Sequence, residues 1–218
     1  MAHSQESQSD PPYVLQSDRL IVRCWQPADA PLLKEAVDGS LDHLRPWMPW
    51  AHNEPQSVED KVELIRSFRA QFDRGEDFVY GVFSADERTV LGGCGLHQRG
   101  GPRSLEIGYW IRADSVRCGY ATEVVQLLTK AAFRACGVER LDIKVEPENL
   151  ASASIPRKLG FVEEGILRRR LPPVTGDGLL RDALLFTMVV EEFEASDIAS
   201  FTMSALDSRG EIVALASA

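Results

Sequence analysis

No apolar run in this 218-residue chain is long enough to cross a membrane as a helix; the longest candidate, around Ala183 to Val190, is far too short. The four cysteines, Cys24, Cys94, Cys118 and Cys136, include no Cys-x-x-Cys pair, and the four histidines form no His-Glu-x-x-His arrangement, so no metal site is expected. Basic residues are outnumbered: 24 Lys+Arg against 33 Asp+Glu give a net charge of −9. That balance disfavours direct nucleic-acid binding through phosphate neutralisation and helps to attract a cationic substrate such as an amine. Met1 to Pro12 is polar, rich in Ser and Gln, and lacks the apolar core of a signal peptide. A cytoplasmic protein with reduced thiols and no membrane partner is expected.

What is present is ordinary for a globular chain, with 44% hydrophobic and 26% charged residues and a length suited to one domain. We expect a flexible N-terminus over residues 1–12, one domain over 13–194, and a C-terminal extension over 195–218. In that extension Phe201 to Leu206 and Glu211 to Leu215, separated by Ser208-Arg209-Gly210, form either an added hairpin or a partly ordered tail.

Val14 to Trp25 reads as a first strand. A helix starts at Pro27, a residue tolerated in a first turn, and ends near Gly39. Ser57 and Asp60 form a capping pair ahead of the apolar stripe Val58, Val62, Ile65, Phe68 and Phe72. Phe78 to Phe83 and Thr89 to Leu96 read as a hairpin, in which Gly92, Gly93 and Gly95 mark either flexible packing or close approach of a ligand. Leu105 to Arg112 is a further strand. From Ala121 to Cys136 the positions Val124, Val125, Leu128, Ala131, Ala132 and Ala135 share one helical face, with Gly137 as the stop. Leu141, Ile143 and Val145 then alternate in a short strand. Strand, helix and strand at this spacing imply parallel pairing and a right-handed crossover, which puts the helix N-terminus at the carboxyl end of the first strand. Phe161 to Leu171 and Leu179 to Val190 form a closing antiparallel pair.

At that helix start lies Arg117-Cys118-Gly119-Tyr120-Ala121-Thr122-Glu123, where unpaired amides and a partial positive charge suit a pyrophosphate. About one βαβ unit later Asn149 and Ser152 lead into Lys158-Leu159-Gly160-Phe161. Together these stretches resemble the acetyl-CoA motif of the GNAT (Gcn5-related N-acetyltransferase) superfamily. Asp177-Gly178 with Arg181-Asp182, Arg19-Leu20, and Trp47-Met48-Pro49-Trp50 resemble its RimJ/RimL-type branch, which acetylates the N-termini of ribosomal proteins. The resemblance covers Asp18 to Glu194. It implies one α+β domain: a central mixed, mostly antiparallel twisted sheet with a splayed parallel strand pair and flanking helices. It also implies acetyl-CoA as co-substrate, direct transfer to a primary amine such as a ribosomal-protein N-terminus, and a homodimer.

The coenzyme-binding set implied by the resemblance is Ile111, Arg117, Cys118, Gly119, Tyr120, Ala121, Thr122, Asn149, Ser152 and Lys158. The turn departs from the family at Val116, where Gln or Arg is frequent, and at Arg117, where Gly is frequent. Ser152 is either a helix cap or also the proton donor to the departing thiolate; Pro156 stands where many relatives carry a tyrosine acid. Glu106 matches the general-base glutamate of the histone-acetyltransferase branch and is either that base or an anchor for a cationic substrate. The RimL-type glutamate falls near Leu171 here. The oxyanion of the tetrahedral intermediate needs a positioned donor, and the resemblance implies a backbone amide near Trp110 to Arg112. Trp47 and Trp50 either line the acceptor cleft or form a local hydrophobic plug. Arg168-Arg169-Arg170 is a solvated strand edge, or else a contact for a coenzyme phosphate or for an acidic partner such as a ribosomal stalk protein; His52 and His97 could touch substrate, but neither is assigned a role. Two further readings are an acetyltransferase of small-molecule amines (a polyamine, an aminoglycoside or an amino acid) and a non-catalytic acetyl-CoA-binding module.

Overall fold

A computed structural model describes residues 10–176 and 178–215; residues 1–9 of the expected N-terminal segment, Asp177 of the closing turn and residues 216–218 lie outside the described residues. The first strand is where sequence and structure differ. Val14 to Trp25 is two antiparallel strands, β1 (Val14–Gln16) and β2 (Leu20–Cys24), paired Leu15↔Val22. The break has a local cause: Ser17 N–H donates to Leu20 O at 3.0 Å, and Leu20 N–H donates to Ser17 Oγ at 3.2 Å, closing a tight turn inside an otherwise uniform apolar alternation.

After a 3₁₀ turn at Pro27–Asp29 come α1 (Ala30–Asp38) and the single turn α2 (Leu41–Leu44). The long helix α3 (Val58–Asp73) begins with reciprocal capping: Asp60 N–H donates to Ser57 Oγ at 3.0 Å and Ser57 N–H to Asp60 Oδ2 at 3.2 Å. The strands β3 (Phe78–Ser84), β4 (Val90–His97) and β5 (Ser104–Ile111) form an antiparallel meander. Then α4 (Tyr120–Arg134) crosses over to β6 (Arg140–Val145), and α5 (Leu150–Lys158) precedes the hairpin β7 (Val162–Leu171) and β8 (Arg181–Val189). A short α6 (Val190–Glu194) comes next, and a last strand β9 (Ser204–Leu206) pairs antiparallel with β1.

These strands form one nine-stranded sheet in the order β7-β8-β6-β5-β4-β3-β2-β1-β9, antiparallel except between β5 and β6. The extension after Ala195 therefore supplies an edge strand, and Leu206 makes a further antiparallel bridge to Ile212. Helices cover both faces. Val124, Val125, Leu128 and Ala131 of α4 pack with Leu96, Ile107, Ile143 and Phe186 in the larger core. Leu33 and Val37 of α1 and Ile65 of α3 pack around Trp25, Phe83 and Val90 in the smaller one. Each such buried aliphatic or aromatic side chain contributes roughly 1.5–3 kcal/mol, which makes the sheet a rigid base for the loops and helix ends above it. The parallel pairing ends at Ile107↔Ile143, so β5 and β6 part at Gly108.

Candidate active site at the parting of the parallel strands

The phosphate turn is built by two residues in the left-handed region. Gly119, the N-terminal cap of α4, has φ +83°, and Arg117 has φ +63°, at the position where the family often carries glycine. No side chain caps this helix, so its first amides, from Tyr120 onward, have neither an intrahelical nor a capping partner. A Cβ added at Gly119 would meet only the Arg19 guanidinium, at 3.6 Å, so the space over the turn is open to a bound group. Arg19 holds the turn from behind: it donates to Cys118 O at 3.1 Å, forms an ion pair with the buried Glu123, and lies over the Tyr120 ring. Ser17 Oγ completes the clamp by donating to Glu123 Oε1 at 2.6 Å. An unpaired helix start beneath open space, with its own first-turn Glu123 paired to Arg19, fits a coenzyme pyrophosphate.

Asn149 caps α5, its Oδ1 accepting from Ser152 N–H at 3.1 Å, which leaves its amide nitrogen for other partners. Ser152 Oγ is 3.0 Å from the Tyr109 hydroxyl, which is also 3.1 Å from Ser152 O. Burial pushes the Tyr109 phenol up to about 12, with the Ser152 hydrogen bond acting in the opposite direction. Glu106 is buried, and its Oε2 accepts from Lys144 Nζ at 2.7 Å. An ammonium thus already occupies one side of the carboxylate expected to act on the amine.

The oxyanion position can be narrowed. Arg112 N–H is used within the sheet, donating to Leu91 O at 2.9 Å, so it drops out of the expected stretch Trp110 to Arg112. Amide directions alternate along a strand; with Arg112 facing β4, Trp110 and Gly108 also face β4, and Tyr109 and Ile111 turn toward the side that β6 has left.

Trp47, Trp50, Glu106, Asn149 and Ser152 line one cavity of about 700 Å³. All four tryptophans of the chain line it: Trp25 and Trp110 stand beside Trp47 and Trp50. Trp50 and Trp110 are 5.8 Å apart between ring centroids at a tilt of 60°. The loop carrying Trp47 and Trp50 is braced by Arg45, which donates to Glu54 O at 3.0 Å, and by the fully buried Lys61–Glu54 ion pair. Leu171, at the position of the RimL-type glutamate, lines the same cavity and puts no carboxylate there. Ile111 and the turn Arg117 to Thr122 lie outside the cavity lining, beside the open edge of the strands; Lys158 is exposed in the last turn of α5. Arg168, Arg169 and Arg170 lie on the exposed β7, away from this cavity.

Sequence reasoning missed Tyr109, Lys144 and the pair formed by Asp77 and His97, whose Nδ1 is 2.7 Å from Asp77 Oδ1. The signal for all of them is strand register, which a single sequence does not print. Among the described residues there is no cluster of His, Cys, Asp or Glu able to hold a metal, and no helix long and apolar enough to cross a membrane.

Comparison with known proteins agrees with this architecture. The family model described as an acetyltransferase (GNAT) domain matches residues 19–162, more than half of the chain. The uncharacterized N-acetyltransferase YoaA of Bacillus subtilis (strain 168) is 29% identical over 157 residues, covering 72% of this chain and 86% of that protein. The [ribosomal protein uS5]-alanine N-acetyltransferase of Escherichia coli (strain K12) is 26% identical over 184 residues, covering 82% and 92%. Among solved structures, Mycobacterium smegmatis RimJ in complex with CoA-disulfide superposes with a TM-score of 0.71 at 25% identity, covering 91% of this chain and 94% of that one. The open, mostly antiparallel sheet with one parted parallel pair, the uncapped helix start beside it and the matching family model together make the chain a member of the GNAT acetyltransferase family, an acetyl-CoA-dependent N-acetyltransferase.

Proposed function

We propose that the acceptor is the N-terminal α-amine of a protein or peptide, as in RimJ/RimL-type enzymes, with a ribosomal protein as the first partner to test in a cytoplasmic setting. The observation that carries this reading is the single cavity in which four tryptophans meet Glu106, Asn149 and Ser152 at the parting of β5 and β6. An aromatic-walled cleft suits a peptide terminus, with side chains to bury as well as an amine to present, better than a small polyamine. The relative named as a uS5-alanine acetyltransferase, matched along 92% of its length, supports the same acceptor class. An α-amine, with an unperturbed pKa near 8 against about 10.4 for a lysine, also needs less help to lose its proton.

In this reading the amides of Arg117 to Ala121 hold the coenzyme pyrophosphate, with Ile111, Thr122 and Lys158 along its length, and the free side-chain nitrogen of Asn149 holds the pantetheine arm. Acetyl-CoA supplies the activated thioester. Tyr109 or Ile111 N–H faces the oxyanion, Ser152 returns a proton to the thiolate, and Glu106, already paired with Lys144, fixes the incoming amine rather than deprotonating it.

The test is thiol release from acetyl-CoA with Ala- and Ser-starting peptides set against spermidine, an aminoglycoside and free amino acids. Peptide turnover at a kcat/KM at least about tenfold above every small amine is expected, a difference of about 1.4 kcal/mol. Turnover of a small amine with none of the peptides would reject the proposed acceptor.

A further inference from the structure

Across the face of the sheet that carries Trp110, four charged or titratable side chains follow one another, Asp77 just ahead of β3 and the others on β4, β5 and β6. The β3–β4 register, Phe78↔Leu96 and Val79↔Gly95, sets Asp77 opposite His97. The β4–β5 register pairs His97 with Glu106, and Glu106 accepts from Lys144 of β6. Directly opposed residues on neighbouring strands share a face, so His97 is flanked by Asp77 on one side and by Glu106 on the other.

The imidazole is held in a defined state. A carboxylate only accepts hydrogen bonds, so the 2.7 Å contact from Asp77 Oδ1 to Nδ1 places a ring proton on Nδ1, and in the neutral imidazole the lone pair is then on Nε2. Among the described residues Nε2 has no hydrogen-bond partner. The sheet is also cut away to receive the ring: a Cβ at Gly95 would lie 2.8 Å from both Cε1 and Nε2, and one at Gly108 would lie 3.1 Å from Nε2. Gly108 is the first residue of β5 beyond the last parallel pair, Ile107↔Ile143. The free nitrogen therefore rests over the point where the strands part, inside the tryptophan-lined cavity. Glu106, the carboxylate that would otherwise serve as base, is engaged by Lys144.

We propose that His97 Nε2 is the general base for the acceptor amine, and that Asp77 is the positioning residue that fixes its tautomer and orientation. The amine lone pair forms the new C–N bond to the acetyl carbonyl carbon, and the proton leaving nitrogen passes to Nε2. The C–S bond breaks, and its electron pair leaves on sulfur, which takes the Ser152 hydroxyl proton. The imidazolium releases its proton to solvent and Ser152 regains one, so the net products are the acetamide and the free coenzyme thiol. This rests on the proposed acceptor only in requiring a primary amine in the cavity. The titratable groups on this side of the sheet near His97 are Asp77 before β3, Arg99 beyond the end of β4, Glu106 on β5, and on β6 Lys144 and Asp142, the last opposite Glu106 and paired with Arg140. Elsewhere the lining carries Tyr80, Tyr109 and the ion pairs Glu54–Lys61 and Glu146–Arg181.

The test uses the full chain with acetyl-CoA and either an Ala-starting peptide or spermidine, reading thiol release across pH. His97→Gln and His97→Ala are expected to lower kcat about 100-fold, at the lower end of general-base contributions, with acetyl-CoA affinity and Tm unchanged. The acid limb of the wild-type kcat profile disappears in both, and added imidazole restores part of the rate to His97→Ala. Asp77→Asn lowers kcat and leaves KM in place. Wild-type kcat in the His97 variants, a loss confined to KM, or an acid limb that survives their introduction overturns the assignment while leaving the acceptor reading untouched. Turnover with spermidine alone rejects the peptide acceptor and lets His97 be judged on spermidine; no thiol release with any amine rejects both.

Discussion

The Tyr109 hydroxyl bridges the carbonyl oxygen and the side-chain oxygen of Ser152, at 3.1 and 3.0 Å, across 43 residues of sequence. It reaches from β5, at the parting of the strands, to the first turn of α5, and so sets the direction in which the serine proton points. The phenol has one proton: while Tyr109 donates it to the Ser152 carbonyl oxygen, Ser152 Oγ–H donates to the phenolic oxygen, and the serine hydrogen can turn toward a departing thiolate once the phenol turns to donate to Ser152 Oγ. Ser152→Ala should lower kcat about 100-fold, within the range of general-acid contributions. Tyr109→Phe should lower it about tenfold, the equivalent of one neutral hydrogen bond. The double variant should fall no further than Ser152→Ala alone, because the two hydroxyls act as one unit. Strictly additive losses in a double-mutant cycle on kcat would show that the bridge is only structural.

Burial gives the same tyrosine a second readout. Its phenol titrates near 12 rather than near the usual 10. The folded state thus binds this proton more tightly than the unfolded chain, so the associated stability is fully present below pH 10 and is lost as pH rises through about 12. In an alkaline titration followed by tyrosinate absorbance, wild type minus Tyr109→Phe should show a step near pH 12 and none near pH 10. A difference step at the ordinary value would mean that Tyr109 is solvated.

Much of this architecture is legible in the sequence because it is written in local chemistry. The Ser57–Asp60 cap, the α4 stripe from Val124 to Ala132 and the Gly119 helix start are all decided within a few residues of chain. The parallel pair follows from the length of the crossover. What stays hidden depends on register between distant segments. Lys144 looks like the polar half of an alternating strand until β6 is laid beside β5 and its ammonium meets Glu106. His97 looks unassignable until Asp77 and two glycines are brought to its ring by pairings across β3, β4 and β5. Arg19 carries a local resemblance, but its contact with Cys118 O and Glu123 spans about half the chain. The merged Val14 to Trp25 strand failed for the opposite reason: Ser17 makes a turn with its own hydroxyl, where alternation alone gives no sign of one.

Gly119 separates backbone strain from coenzyme exclusion. Its φ of +83° lies where an L residue costs roughly 1–2 kcal/mol, yet a Cβ at this position would have no neighbouring atom closer than 3.6 Å. Gly119→Ala should therefore lower Tm by a few degrees and keep measurable acetyl-CoA binding. Gly119→Trp should abolish binding by filling the space over the amides. Calorimetric titration with acetyl-CoA distinguishes the two, and wild-type affinity in the tryptophan variant would remove the turn from the coenzyme site.

The Lys61–Glu54 pair, with side chains 1% and 3% exposed, ties α3 to the end of the tryptophan loop. Removing one partner leaves an uncompensated buried charge, which costs roughly 3–5 kcal/mol. Lys61→Met should show that loss in denaturant unfolding, and Lys61→Met with Glu54→Leu should recover most of it, since an apolar pair of similar volume requires no desolvation of charge. A single variant as stable as wild type would mean that the two groups are not ionised together.

Trp50 decides between cleft wall and hydrophobic plug. Its side of the Trp50–Trp110 contact is open to solvent, with 37% of the residue exposed, whereas Trp25 on the same cavity is buried. A plug residue acts through stability, and its truncation removes an aromatic contact worth about 0.5–1.5 kcal/mol beyond area burial. A wall residue acts through the acceptor. As the wall, Trp50→Ala should raise the peptide KM about tenfold, leave acetyl-CoA affinity unchanged because the phosphate turn lies outside the cavity lining, and shift Tm little. Trp110→Ala should do the same to KM and also lower Tm, because its indole lies against Gly93, where a Cβ would come within 2.6 Å of Nε1. A fall in Tm with an unchanged acceptor KM in Trp50→Ala would identify the loop as a plug and remove Trp50 from the acceptor cleft.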